Sequence, residues 1–248
     1  MPASAALEWD EIVIIGGGCY GTFYARQLLR AKAEGKATYR SLLVVDRDPR
    51  CRLAGELGDA EDRTLVAEDW DRFFDRYLSP SELVSGPQSA PSAIVPSPLM
   101  PHLMYAWLVR RAREHWPGRQ LETTPLPGGS GTPYDAPALD GTRYVSHADW
   151  ICPTHCVEPA LCPATRAPRT WEMGDSLQAF ANRLGVAGPV LFTCRHQVFG
   201  VGMFSLREAL AGDALVRLAG ASGAPVDVMV GTVSSCHGAV NLLHLGPA

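Results

Sequence analysis

The chain has 248 residues, of which 46% are hydrophobic and 19% are charged, and its formal net charge at pH 7 is −4. This composition predicts a globular protein with a substantial core and excludes an intrinsically disordered chain. The negative net charge gives no electrostatic reason to expect nucleic acid or an anionic membrane as a partner.

The N-terminal segment predicts a cytoplasmic protein. Glu8, Asp10 and Glu11 lie where a signal peptide would carry positive charge. No stretch of the sequence approaches the ~20 apolar residues that cross a membrane. Seven cysteines in a reducing compartment predict free thiols, and their odd number agrees with this.

Residues 1–80 are predicted to form a nucleotide-binding βαβ half. The apolar runs "EIVIIG" and "SLLVVDRD" are typical of strands buried on both faces, and "CYGTFYARQLLRAKA" between them has the apolar spacing of a helix. A short helix at "PRCRLAGELGD", a third strand at "RTLVAED" and a helix at "WDRFFDRYL" follow.

Residues 81–144 are predicted to be a loop-rich insertion with one helix. Residues 79–101 are rich in serine and proline, with a short strand at "SAIV", and the helix is predicted at "LMPHLMYAWLVRRAREHW". The stretch "PGRQLETTPLPGGSGTPYDAPALDGT" reads as a long Gly/Pro loop. Loops of this length are often functional, and they offer a surface for a protein partner.

Residues 145–248 are predicted to be a second α/β half that completes the same sheet. Strands are expected at "RYVSHADWI", "GPVLFTCRH" and "VDVMVGTVS", and helices at "TWEMGDSLQAFANRLG", "FSLREALAGDALVRLAGAS" and "SCHGAVNLLHL". Alternating strands and helices predict an α/β fold with a doubly wound, mostly parallel, Rossmann-like sheet and a long Pro/Gly-rich central insertion.

The stretch "GGGCYG" places Gly16-x-Gly18-x-x-Gly21 between the first strand and the first helix. The first glycine permits a tight turn, the second lets a ligand approach the backbone, and the third allows the helix to pack closely on the strand. The helix N-terminus offers N–H groups to a pyrophosphate, and Asp46 ends the next strand, where an acid can bind ribose hydroxyls. The alternative is a tight turn with no ligand.

Two families resemble these stretches over residues 11–78. "VIIGGGCYGTFYARQLL", "LLVVDRDP" and "LVAED" resemble the nucleotide-binding domains of potassium-transport regulators, which implies an NAD-type ligand with Asp69 near the adenine. The same stretches are similar to class I methyltransferases and spermidine synthases, which implies S-adenosylmethionine. The candidate cofactor-binding residues are Gly16, Gly18, Cys19, Tyr20, Gly21, Asp46, Arg47 and Asp69.

A proline-rich cysteine cluster has the spacing Cys152-x3-Cys156-x5-Cys162. Three thiolates this close suit an iron–sulfur cluster or zinc, with a fourth ligand from elsewhere in the chain, for which Cys194 is the candidate. His155 could also serve zinc. The alternative is a rigid loop with buried thiols, because free cysteine is among the most buried residue types.

Cysteines also follow several predicted strands, as the glycine turn does. Cys152, Cys194 and Cys236 each come after one, which predicts that they share one sheet edge with the glycine turn. Cys236 falls at the start of the predicted last helix, where the dipole would lower its pKa. Together with His237 and His196 it is a candidate catalytic residue.

These features predict a nucleotide-binding enzyme with a cysteine-ligated metal at the sheet edge, acting as an NAD(P)-linked oxidoreductase on a small-molecule substrate. Two alternatives remain open. One is a methyltransferase-like enzyme that uses S-adenosylmethionine. The other is a non-catalytic sensor, in which binding of nucleotide or metal changes the shape of the long loops.

Overall fold

The computed structural model describes residues 6–79, 91–98, 100 and 102–248. This part of the chain is a mixed α/β protein with two sheets and divides into two compact units. The first unit contains residues 1–100, 154–157 and 195–207, and the second contains residues 101–153, 158–194 and 208–248.

The elements follow one another in this order: β1 (Leu7–Ile15), α1 (Cys19–Ala33), β2 (Ala37–Asp46), α2 (Arg52–Glu56), β3 (Arg63–Ala67), α3 (Trp70–Tyr77), β4 (Ala93–Val95), α4 (Leu103–His115), β5 (Leu121–Thr124), β6 (Tyr134–Pro137), β7 (Arg143–Ser146), α5 (Met173–Leu184), β8 (Ala187–Thr193), β9 (Arg195–Val198), β10 (Val201–Ser205), α6 (Leu206–Gly220), β11 (Val226–Val233) and β12 (His237–Leu245). The elements predicted within residues 11–78 are therefore confirmed, as is the helix now called α4.

The sheet of the first unit has the order β3-β2-β1-β4-β10-β9. Strands β3, β2, β1 and β4 are parallel to one another, and β10 runs antiparallel to both β4 and β9. Residues 12–15 of β1 are at most 2% exposed, which explains their continuous apolar run. Ala25 and Leu28 of α1 pack in the same core cluster as Ile12 and Ile14.

A two-residue turn joins β9 to β10. Phe199 and Gly200 both have positive φ angles, 47° and 78°, the combination that type I′ hairpins require. A Cβ on Gly200 would lie 2.3 Å from the Thr154 carbonyl oxygen. The glycine therefore lets the segment 154–157 pack closely on the hairpin.

The sheet of the second unit has the order β6-β7-β12-β11-β8, with β5 also paired to β12. Only the β8–β11 pairing is parallel among these, and the others are antiparallel. Helix α5 covers this sheet: its residues Met173, Leu177 and Phe180 share a core cluster with Met229 and Val240. Gly185 ends α5 with a left-handed φ of 68°.

The prediction of one mostly parallel sheet through both halves is wrong, because "SCHGAVNLLHL" forms strand β12 and not a helix. Only three residues, 234–236, connect β11 to β12, and a connection this short makes the two strands an antiparallel hairpin. Residues 145–248 therefore divide between the two sheets: β9 and β10 join the first, and β8, β11 and β12 belong to the second. The predicted Gly/Pro loop is not structureless either, since it contains β5 and β6.

Much of the predicted loop at 79–101 lies outside the described residues, which omit 80–90, 99 and 101. The short strand predicted at "SAIV" is confirmed as β4. None of the helices in the described ranges is long and apolar enough to cross a membrane.

Candidate functional site

The glycine turn after β1 is fixed by backbone contacts. Gly16 has a φ of +90°, and its N–H donates to the carbonyl of Val45 at 2.8 Å. A Cβ on Gly21 would lie 1.7 Å from the Gly16 carbonyl oxygen, so only glycine allows α1 to begin this close to the turn. The Thr22 hydroxyl donates to the carbonyl of Gly18 at 2.8 Å. The motif therefore has the tight turn and the close packing that were predicted.

Gly18 faces open space at the start of α1. It is exposed, and a Cβ placed on it would meet no atom within 4 Å. Its φ of −72° is one that any residue can adopt, so the backbone itself does not require glycine here. The neighbouring side chains of Cys19 and Tyr20 are also exposed. The turn thus leaves room for a ligand beside the helix N-terminus.

Asp46, the last residue of β2, is tied to this turn. Its Oδ2 accepts a hydrogen bond from the Gly17 N–H at 2.7 Å, and its Oδ1 accepts one from the Asp48 N–H at 2.9 Å. A carboxylate has about four lone-pair sites, so two of them are left for a ligand. The Arg47 guanidinium lies 5.7 Å from the centroid of the Trp70 ring.

Asp69 begins α3 as its N-cap, where its side chain accepts a hydrogen bond from the Asp71 N–H. It follows β3, as Asp46 ends β2 and Gly16 follows β1. Because these three strands are parallel neighbours, the predicted cofactor-binding residues come together at one edge of the first sheet. The predicted contact of Asp69 with adenine stays a prediction.

Three of the cysteines share an edge of the second sheet. Strand β8 is parallel to β11, and β7 and β11 are both antiparallel to β12, so β7, β8 and β11 run in one direction. Cys152, Cys194 and Cys236 follow the carboxyl ends of these strands, as predicted. The glycine turn belongs to the other sheet, so the prediction that it shares this edge is wrong.

Cys236 lies in the β11–β12 connection rather than at a helix N-terminus. Its Sγ accepts a hydrogen bond from the Trp171 indole N–H at 3.3 Å, and burial raises the pKa of its thiol. The prediction of a lowered pKa for Cys236 is therefore wrong, because the helix dipole on which it depended does not exist.

His237 faces Cys152 instead. The distance from its Nε2 to the Cys152 Sγ is 4.0 Å, and its Nδ1 lies 2.8 Å from the Ser146 hydroxyl. Ser146 ends β7 and His237 begins β12, and the two are register partners in the sheet. The sequence marks His237 as a candidate but gives no signal for Ser146, which becomes recognisable only from the strand pairing.

The remaining candidate residues, Cys194, Cys162 and His196, each have a different local environment. Cys194 is buried, and burial raises the pKa of its thiol. Hydrogen bonds from the Thr165 backbone and side chain lower the pKa of Cys162. In the first unit, the His196 Nδ1 lies 3.1 Å from the Cys156 carbonyl oxygen, which fixes the orientation of the ring.

No group of three or more His, Cys, Asp or Glu side chains in the described part of the chain is arranged to hold a metal ion. The predicted iron–sulfur or zinc site, with Cys152, Cys156, Cys162 and Cys194 as ligands, stays a prediction. Metal and sulfide analysis of protein purified without air tests it.

We expect Cys194 to be the least reactive thiol in the second unit, because it is buried. In the native protein, iodoacetamide should modify Cys194 at least ~100-fold more slowly than after denaturation in guanidinium, since the thiolate is disfavoured and a reagent can reach it only after local opening. Peptide mapping by mass spectrometry measures the rate, with the exposed Cys19 as the internal control. Equal native rates for Cys194 and Cys19 would contradict the burial.

The first unit thus has the geometry of a glycine-turn ligand site, and the second has a thiol–imidazole pair at a sheet edge. A family model described as "Uncharacterized protein, C-terminal domain" matches residues 104–246. This match spans more than half of the chain, and the protein belongs to that family. No curated protein and no solved structure matches the chain. The matched region includes Cys152 and His237, whereas the glycine turn precedes it.

Proposed function

We propose that the first unit binds an adenine dinucleotide of the NAD type and that the protein is an NAD-linked oxidoreductase acting on a small molecule. The observation that carries this proposal is the open space at Gly18, directly before the N-terminus of α1, with the Asp46 carboxylate hydrogen-bonded to the same turn. An oxidoreductase is the function that such a ligand would most directly serve.

The electrostatics of the turn favour a pyrophosphate there. Helix α1 has no acidic residue in its first turn, so the positive end of its dipole is not neutralised by its own side chains. Backbone N–H groups at the start of a helix bind anions without any side chain. The exposed Gly18 lets a phosphate come close enough to use them.

The strand order supports the Rossmann-like, doubly wound arrangement that we propose for this unit. Strands β3, β2, β1 and β4 are parallel in this order, which is the order of one mononucleotide-binding half, with the ligand turn after the first strand. Helices α1, α2 and α3 follow β1, β2 and β3 in turn.

Asp46 supports NAD over NADP, because its negative charge would repel a 2′-phosphate while its free lone pairs can accept hydrogen bonds from ribose hydroxyls. S-adenosylmethionine carries the same pair of hydroxyls. Binding of S-adenosylmethionine in place of NAD would therefore favour the methyltransferase alternative. Binding of NAD without turnover of any substrate would favour the sensor.

Substitution of Gly18 tests the ligand site separately from the fold. In the Gly18→Ala variant we expect affinity for NADH to fall at least ~10-fold, because the new methyl group projects into the space where the pyrophosphate would approach. Stability should fall by only about 0.5–1 kcal/mol, since the change replaces a glycine N-cap with alanine. Isothermal titration calorimetry with NADH, NADPH and S-adenosylmethionine measures the affinities.

The matched control is Gly55→Ala, at an exposed glycine of α2 where a Cβ would also meet no atom within 4 Å. This variant should bind NADH as the natural protein does. If the folded natural protein binds none of the three nucleotides, or if Gly18→Ala leaves binding unchanged, the proposal fails.

A further inference from the structure

We propose that Cys152, His237 and Ser146 form a second, catalytic site, in which Cys152 is the nucleophile, His237 its general base and Ser146 the residue that orients the base, and that this site takes an acyl donor. The proposal does not depend on nucleotide binding, since all three residues belong to the second unit.

The hydrogen bonds of Ser146 fit the tautomer of His237 that a general base at Nε2 requires. The Ser146 hydroxyl donates its only proton to the Ala148 carbonyl at 2.8 Å, and its oxygen accepts from the Ala148 N–H at 2.9 Å. With the Ser146 proton on that carbonyl, the hydroxyl oxygen accepts from the His237 Nδ1–H in this contact. In this arrangement His237 carries its proton on Nδ1, and the unprotonated Nε2 lies 4.0 Å from the Cys152 sulfur.

The sheet holds the base in this orientation. Ser146 and His237 are directly paired across β7 and β12, so the hydrogen bond between their side chains is fixed by the strand register. His237 is exposed and Cys152 is partly exposed, so a substrate can reach the sulfur from solvent. An oriented imidazole beside a thiol, with a third group holding the imidazole, is the arrangement that activates cysteine nucleophiles.

Cys236 does not compete for this role. It precedes His237 in the chain, yet its sulfur accepts the hydrogen bond from the Trp171 indole and is 8% exposed. The Trp171 ring stacks on His147 at 6.0 Å and meets Trp150 edge-on at 5.8 Å. The thiol that faces the imidazole is thus Cys152, whereas Cys236 is buried and hydrogen-bonded to Trp171.

The reaction at this site is acyl transfer. The Cys152 thiol proton moves to His237 Nε2, the sulfur forms a bond to the acyl carbon, and the bond from that carbon to the leaving group breaks. The leaving group departs with the proton from His237, or, if it is acidic enough, as an anion, in which case His237 releases its proton to solvent water. Water then attacks the thioester with His237 again as the base, which releases the acid and restores the thiol.

The test uses p-nitrophenyl acetate with the full-length protein. We expect a burst of about one p-nitrophenolate per chain, with the acetyl group on Cys152 in peptide maps. His237→Gln should slow the acetylation of Cys152 about 100-fold, as expected for loss of a general base, and Ser146→Ala about 10-fold through loss of orientation. Cys152→Ser should abolish the burst.

Three controls make the outcome decisive. His244→Gln, in the same strand, and Cys236→Ala should leave the burst unchanged, and hydrogen exchange should show each variant folded. The proposal is overturned if the acetyl groups are distributed evenly over the cysteines. It is also overturned if Cys152 is acetylated at the same rate in a folded His237→Gln variant as in the natural protein. A third contradicting result is that Cys152 reacts only after a chelator has removed bound zinc or iron, because its sulfur would then be a metal ligand. Nucleotide binding, measured on the same variants, should not change.

Discussion

Replacement of Gly21 by alanine should cost about 4 kcal/mol or more and leave the first unit largely unfolded. The new Cβ would lie 1.7 Å from the Gly16 carbonyl oxygen and 3.5 Å from Ile14 Cγ2. The clash is with the backbone of Gly16, directly after β1, and Gly21 lies in the first turn of α1, so relief requires the helix to move off the strand. A loss of this size is a large fraction of the 5–15 kcal/mol that stabilises a typical domain.

Hydrogen exchange measured by mass spectrometry can follow this loss in each unit separately, which matters because two units need not unfold in a single step. Amides of β1 and β2 should exchange much faster in the Gly21→Ala variant. Gly18→Ala is the matched control in the same turn, because its Cβ meets no atom within 4 Å. Equal losses in the two variants would show that the steric account is incorrect.

Replacement of Arg119 by alanine should destabilise the second unit by about 4 kcal/mol. This buried guanidinium donates to three carbonyl oxygens, those of Gly246 at 2.6 Å, Gly220 at 2.8 Å and Ala224 at 2.7 Å. Removal of the donor leaves buried acceptors unsatisfied, each at a cost of about 1–3 kcal/mol. It also removes the packing of Arg119 over Trp116, 5.0 Å from the ring centroid.

Urea denaturation monitored by tryptophan fluorescence measures this effect, with hydrogen exchange at α6 and β12 as the local probe. Arg113→Ala removes an exposed arginine of the same unit and should change stability by less than about 0.5 kcal/mol. The stability of Arg119→Lys should lie between those of Arg119→Ala and Arg113→Ala, because an ammonium cannot reproduce the planar fork of donors. A fully stable Arg119→Ala variant would refute this role for Arg119.

The first unit was largely predictable because its signals are local. The continuous apolar runs of β1 and β2 and the glycine turn between β1 and α1 each determine a structure within a few residues. The addition of β10 and β9 to this sheet was not predictable, because β10 pairs with a strand made much earlier in the chain. Phe199 and Gly200 form the turn that joins these two strands, and Phe-Gly is not one of the residue pairs that predict a type I′ turn.

The second unit was harder because β12 gives an ambiguous signal. Residues 239–243 are all buried and, except for Asn241, apolar, and such a run without alternation fits a buried strand as well as a helix. A helix in this segment excludes the β11–β12 hairpin and puts a dipole at Cys236 that the structure does not contain. The contact between Cys152 and His237, 85 positions apart, depends on that hairpin and could not be predicted without it.

The first unit is not one continuous stretch of chain, and this has a consequence for biosynthesis. Strand β4 ends at Val95, but its neighbour β10 begins only at Val201. Strand β4 is therefore synthesised long before β10. Until β10 has been made, the free edge of β4 exposes unpaired N–H and C=O groups to other nascent chains. Protection of that edge by a chaperone, or slow release from the ribosome, would then matter most until residue 205 has emerged.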